Sequence, residues 1–162
     1  MTSFTLGINL AIRISDLLGL KVKDVKDKKG GLWDTIRIRE QKTNREAKLA
    51  VNEASKEALE LYFEKNFSQD PEKYLFASGK TNQPLTRQRA WQLVKDWTSM
   101  VGLTGEYGCH TLRKTFGYQG WRMGISTELL QEKLGHRSPE ATRRYSGITR
   151  DQVRDVELKV HL

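Results

Sequence analysis

A single cysteine, Cys109, and three histidines are all the soft metal ligands the chain contains, and one thiol beside scattered imidazoles does not make a closed zinc site. With one thiol there is no disulfide framework, which fits a reducing, cytoplasmic setting. No apolar run approaches the roughly 20 residues that cross a bilayer. The N-terminus also lacks the charged-then-apolar order of a signal peptide. The expectation is a soluble protein without membrane contact. Internal repeats, low-complexity tracts and long linkers are missing too, so 162 residues read as one domain by default. Acidic residues are in deficit: 28 Lys and Arg stand against 20 Asp and Glu, a net charge of +8. A pI near 9.6 favours a polyanionic partner over an acidic small molecule.

The apolar pattern that is present is mostly helical. Residues 4 to 20, "FTLGINLAIRISDLLGL", are apolar at nearly every turn and read as a buried helix, with Arg13 held by Asp16 three residues on. Residues 35 to 41 and 46 to 51 alternate apolar with polar around the tip "KTNR", the signature of a hairpin, with Lys42 at its mouth. Helical spacing returns from Ser55 to about Phe67, and "YLFAS" is too short to be more than an edge strand or connector. Thr86 to Val101 places Ala90, Trp91, Val94, Trp97 and Val101 on one stripe, whose indoles read as core. Three short helices follow at 110 to 123, 126 to 134 and 138 to 147, the last with Ser138 as N-cap and Pro139 in its first turn, and a helix-prone segment spans 149 to 160. The fold class expected is α+β, mainly α, with one small antiparallel hairpin.

Several polar residues sit where apolar ones would be easier. Arg13 and Arg113 lie in apolar helical context, where an unpaired guanidinium is expensive. Each reads either as a partly buried ion pair or as a clamp for phosphate oxygens, a task that suits a planar fork that never loses its proton. His110 precedes Arg113 by three residues, on one face of the same helix and near its N-terminus, where free N–H groups favour an anion. His136 follows a Leu-Gly pair at a helix end. Tyr145, between Arg144 and Ser146, reads as a core aromatic or as a nucleophile.

Four separated motifs, "AIRISDLLGL", "QKTNREAKLAV", "HTLRKTFG" and "KLGHRSPEATRRYSG", together resemble the tyrosine recombinase, or phage integrase, family across nearly the whole chain. The resemblance implies a catalytic-domain fold over residues 1–162 and an active site made of Arg13, Lys42, His110, Arg113, His136 and Tyr145, with Asp16 bracing the first arginine. It implies site-specific DNA recombination or integration, in which Tyr145 cleaves a strand through a 3′-phosphotyrosyl intermediate and the strand is then rejoined. Arg13 and Arg113 would stabilise the transition state, Lys42 would act as general acid, His110 as general base, and His136 would donate to the phosphate. Lys48 and Arg45 lie close enough to be alternatives to Lys42. The scheme needs no cofactor, neither metal nor ATP. The implied partners are double-stranded DNA and other recombinase protomers bound to it, with the isolated chain a monomer or weak self-associate. Family members place a further helix and a DNA-clamping domain ahead of the first arginine, and only twelve residues precede Arg13. The chain is therefore expected to be a catalytic domain lacking that clamp.

Rival readings are a helix-turn-helix regulator built on 126 to 147, a type IB topoisomerase using the same phosphotyrosine, and a degenerate integrase kept only to bind DNA. The regulator leaves the Arg13 helix and the basic hairpin unexplained. The remnant is disfavoured because all six positions are filled.

Overall fold

The computed structural model describes residues 2–66, 68 and 70–147. The helix expected at 149 to 160 lies outside them. The chain divides into two compact units, residues 1–112 and residues 113–162.

In the first unit, the continuous helix expected over 4 to 20 is broken in two. Helix α1 (Thr2–Asn9) stops before Leu10, and α2 (Ile14–Leu18) starts after Arg13, which takes an extended conformation as its N-cap. Between them Ala11 adopts a left-handed backbone with φ +54°. An uninterrupted helix would present apolar side chains on all its faces, and only one face can meet a given core. The break sends Leu6 and Leu10 from one half and Leu17, Leu18 and Leu20 from the other into the same core. Gly7 permits a close approach, since a Cβ there would fall 2.6 Å from Leu112 Cδ1.

A short helix α3 (Val22–Val25) leads to the hairpin of β1 (Thr35–Arg39) and β2 (Glu46–Ala50). Its register places Ile36 opposite Leu49 and Ile38 opposite Ala47 on the inner face, joined to the core. Helix α4 (Glu53–Lys65) is capped by the Asn52 side chain and packs against α1. The run at 74–77 is an extended connector with buried Leu75 and Phe76, tied to the rest by single bridges at Lys21–Tyr74 and Ala77–Pro84. Helix α5 (Arg87–Met100) is capped by Thr86, packs against α2, and buries Ala90, Val94 and Thr98.

The two indoles of α5 differ from the core expectation. Trp97 is half-buried, edge-on to Phe4, whereas Trp91 is 42% exposed beneath the Lys95 ammonium. Val101 is exposed as well. The buried stripe shifts to Thr98, whose hydroxyl satisfies itself on the Val94 carbonyl at 3.0 Å.

Helix α6 (Cys109–Arg122) runs from the first unit into the second, which continues with α7 (Thr127–Leu134) and α8 (Pro139–Ser146). Ser126 and Ser138 cap α7 and α8 through their hydroxyls, and Pro139 occupies the first turn as the sequence suggests. Gly135, with φ +58°, ends α7; its N–H bonds the Glu132 carbonyl and the next N–H, of His136, bonds that of Gln131. This paired closure needs a left-handed residue, which glycine adopts without a steric penalty.

The left-handed Ala11 makes a stability prediction. Ala11→Val puts a β-branched side chain into a conformation that such residues avoid and adds atoms at a position only 2% exposed, an overpacking cost of about 1–3 kcal/mol. Melting temperature should fall by on the order of 5 °C, at about 2–4 °C per kcal/mol for a chain of this size. Thermal unfolding followed by circular dichroism measures it, and an unchanged transition would mean that the break is not confined to this backbone geometry.

Candidate active site

The first unit holds Arg13, Asp16, Lys42 and His110. Arg13 Nη1 donates to Glu40 Oε1 at 2.8 Å, an ion pair whose side chains keep only 19% and 15% of their exposure. This corrects the expected bracing by Asp16. Buried Asp16 turns its Oδ1 to the Gln41 backbone N–H at 2.9 Å, while the Gln41 side chain donates to the Ser15 carbonyl at 3.1 Å. The physical reason is the helix break: Arg13 is the extended residue before α2, so the three-residue helical spacing that would bring it over Asp16 does not exist.

Both acids thus fasten the hairpin to α2. Glu40 closes the loop 40–45: its N–H donates to the Arg45 carbonyl, its carbonyl accepts from the Asn44 N–H, and its carboxylate also accepts from the Thr43 hydroxyl. Asn44 supplies the left-handed residue with φ +55°, a conformation that asparagine tolerates better than most. Lys42 sits inside this loop and is exposed, above a backbone tied at residues 40 and 41. Lys48, the alternative, lies in β2 on the outward face. His110 is exposed in the first turn of α6, where the Gly108 N–H donates to the Thr111 hydroxyl at 3.0 Å.

The second unit holds Arg113, His136 and Tyr145, and it brings them together. Arg113 is 4% exposed, and its Nη2 donates to the Leu134 carbonyl at the end of α7. The Leu134 carbonyl lies at the negative end of the helix dipole, so a guanidinium there is favoured twice over. Two residues on, His136 faces Thr142 Oγ1 through Nδ1 at 3.1 Å and meets the Tyr145 ring edge-on, centroids 4.5 Å apart. When Thr142 is the donor in that contact, the neutral imidazole carries its proton on Nε2, the state that can give a hydrogen bond to an anion. The Lys114 ammonium lies 6.0 Å from the centroid of the Tyr145 ring. Gly117 lets α8 come close to α6, because a Cβ there would stand 3.3 Å from Tyr145 Cβ.

Three residues that the sequence reading passed over contribute here: Glu40, Thr142 and Lys133. Lys133 holds its ammonium 5.8 Å from the Phe116 ring centroid. Although much of the residue reaches solvent, desolvation of that ammonium, reinforced by the Arg113 charge, holds its pKa below the usual lysine value. No periodic pattern marks any of the three, and only the acid of Glu40 before a basic turn was a signal that could have been followed. Among the described residues no group of histidine, cysteine and carboxylate side chains is arranged to hold a metal ion. None of their helices is long and apolar enough to cross a membrane.

The family model for the phage integrase family matches residues 2–151. A probable integrase/recombinase, YoeC, of Bacillus subtilis is 40% identical over 151 residues, covering 93% of this chain and 78% of its own length. Tyrosine recombinase XerD of Corynebacterium glutamicum is 30% identical over 152 residues, covering 92% of this chain and 48% of its own. This chain thus spans about half the length of that relative. Among solved structures, XerA recombinase superposes with a TM-score of 0.77 at 23% identity, over 98% of this chain and 57% of its own. XerH site-specific recombinase, in a post-cleavage complex with its palindromic difH substrate, also gives 0.77, at 21% identity, over 98% and 44%. At these identities the structures establish a shared fold, the one found in tyrosine recombinase catalytic domains.

Because Glu40 holds a half-buried guanidinium, Glu40→Ala should cost about 1.5–3 kcal/mol, the range for a hydrogen bond to a charged group. Glu40→Gln, which keeps an acceptor oxygen, should cost less. Urea unfolding of the two variants tests the pair: equal, negligible losses would mean that Arg13 does not depend on Glu40.

Proposed function

The chain belongs to the phage integrase family, and from that premise we propose that residues 1–162 form the catalytic domain of a tyrosine site-specific recombinase that cuts and rejoins duplex DNA. The observation that carries the reading is the seating of the Tyr145 ring against His136, in a unit where the buried Arg113 is anchored one residue before the turn that presents that histidine. A core aromatic would not need a cation and an imidazole beside it. A phenol that must attack a phosphate does.

In the proposed reaction the Tyr145 oxygen attacks the phosphorus of a DNA phosphodiester. An O–P bond forms to the phenol and the P–O5′ bond breaks, leaving a 3′-phosphotyrosyl enzyme and a free 5′-hydroxyl. His110 takes the phenolic proton and Lys42 gives one to the departing 5′-oxygen. Arg13 and Arg113 bind the non-bridging oxygens, which gain charge at the five-coordinate transition state. His136, with Nδ1 occupied by Thr142, offers its Nε2–H to the same phosphate. The bond energy stored in the phosphotyrosine drives rejoining, so the scheme draws on no nucleotide cofactor. Duplex DNA and further recombinase protomers on that DNA are the proposed partners.

A nicked suicide substrate carrying sequence from the flanks of the parent element tests this reading, because it traps the covalent adduct against denaturant. A non-catalytic regulator would bind such DNA and form no adduct. Strand exchange between paired sites distinguishes a recombinase from a topoisomerase that only relaxes supercoils.

Two substitutions separate the roles. Tyr145→Phe should keep fold and DNA affinity and abolish the adduct, because only the phenolic oxygen is removed; a surviving adduct would sink the assignment. Lys42→Ala should slow cleavage of normal DNA and recover most of the rate on a substrate with a good 5′ leaving group, whereas Arg113→Ala should lose on the order of 10²-fold or more on both. Unrescued losses for both variants in single-turnover cleavage would reject Lys42 as the acid.

A further inference from the structure

The inner face of the hairpin is committed to the core, which locks the outer face in place. Ile36 and Leu49 are buried, and a slip of one residue would turn them to solvent. The outward positions are therefore Thr35, Arg37 and Arg39 on β1, facing Ala50, Lys48 and Glu46 on β2. At the centre of this face Arg37 stands directly opposite Lys48. Like charges at facing positions destabilise a strand pair, and among the described residues neither forms a salt bridge that would offset the repulsion. Arg39 does pair with Glu46 at 2.9 Å, but both side chains are largely exposed and the attraction is weak.

Protection of an open edge accounts for charge here, not for charge of one sign. Opposite charges at 37 and 48 would block strand addition equally well and would stabilise the hairpin. Two facing cations make physical sense when a polyanion lies across them. Arg37 and Arg39 are about 7 Å apart along β1, and the face continues into the loop that carries Lys42, so one ligand can run along the strand toward the lysine tip. The outermost facing pair, Thr35 and Ala50, is small and presents no opposing charge.

We propose that the outer face of the β1–β2 hairpin, centred on the facing pair Arg37 and Lys48, docks the phosphate backbone of duplex DNA. This rests on the reading of the chain as a DNA-acting enzyme and adds a gripping surface apart from the residues assigned to cleavage. It also gives Lys48 a task distinct from that of Lys42: it neutralises a phosphate and takes no part in proton transfer.

Threonine preserves strand preference while removing charge, so Arg37→Thr and Lys48→Thr are the test variants. Binding of the whole chain to a random-sequence duplex is measured as a function of salt, alongside melting temperature. Each change should weaken binding about fivefold to tenfold at 0.1 M salt and make the slope of log K against log[salt] shallower by about 0.9, without altering sequence preference. Each should also raise the melting temperature by about 1–3 °C, since the repulsion is gone. Arg37→Lys should retain both binding and slope, and it serves as the control if a threonine variant fails to fold.

Unchanged affinity and slope in folded threonine variants, with wild-type binding intact, would overturn the proposal and leave the recombinase reading standing. Unchanged DNA binding with new aggregation would assign the cations to edge protection. Reduced binding to polyglutamate without loss on DNA would assign the face to an acidic protein and overturn it too. Failure of the wild-type chain to bind any duplex would defeat the underlying reading, and this proposal with it.

Discussion

A guanidinium taken out of water must be held, and the arrangement of the second unit follows from how Arg113 is held. One of its partners is a backbone carbonyl, at Leu134. That choice has consequences. A carbonyl acceptor offsets part of the cost of taking the guanidinium out of water. Because that carbonyl belongs to the last turn of α7, the contact fixes where the helix stops. Gly135 must then turn left-handed, and His136 emerges beside Thr142 and Tyr145.

The first unit ties its arginine to the hairpin. Arg13 meets a carboxylate, Glu40, and that carboxylate belongs to the loop that carries Lys42. The ion pair and the Asp16 contact to the Gln41 N–H together make the hairpin base an extension of α2. The backbone under the lysine is tied on both counts. In the proton transfer proposed for Lys42, the four-carbon stem would bring the ammonium to its target without reorganising that backbone.

Charge is distributed against stability in both units. Arg37 faces Lys48 across the strands, and the Lys133 ammonium, desolvated first and repelled by Arg113 second, has its pKa lowered. Each arrangement costs something in the absence of an anion. A phosphate backbone, the proposed partner, would relieve such costs in proportion to the cations it covers.

Much of this was legible in the linear pattern. Apolar spacing located α4 to α8 to within a few residues, the serine and proline at 138 and 139 announced the start of α8, and alternation around "KTNR" identified the hairpin and its inward face. These are local properties: a cap, a period of 3.6 or 2, a turn residue. Each of the histidine, arginine and tyrosine motifs was readable in the same way as a resemblance, and the family model over residues 2–151 shows the family. Tertiary structure alone decided the rest. Asp16 could be paired with Arg13 on paper because a helix was assumed to continue through Ala11, and it does not. The true partner, Glu40, is 27 residues away, a separation that no periodicity encodes. Trp91 shared a stripe with Val94 but reached the surface, since a stripe says which side chains lie on one face and not how wide the neighbouring core is. The sequence by itself determined α4 to α8, the hairpin and the residue types available for phosphate chemistry; the break at Ala11 and the groups that meet Arg13 and Arg113 were decided only when distant segments packed around the same buried charges.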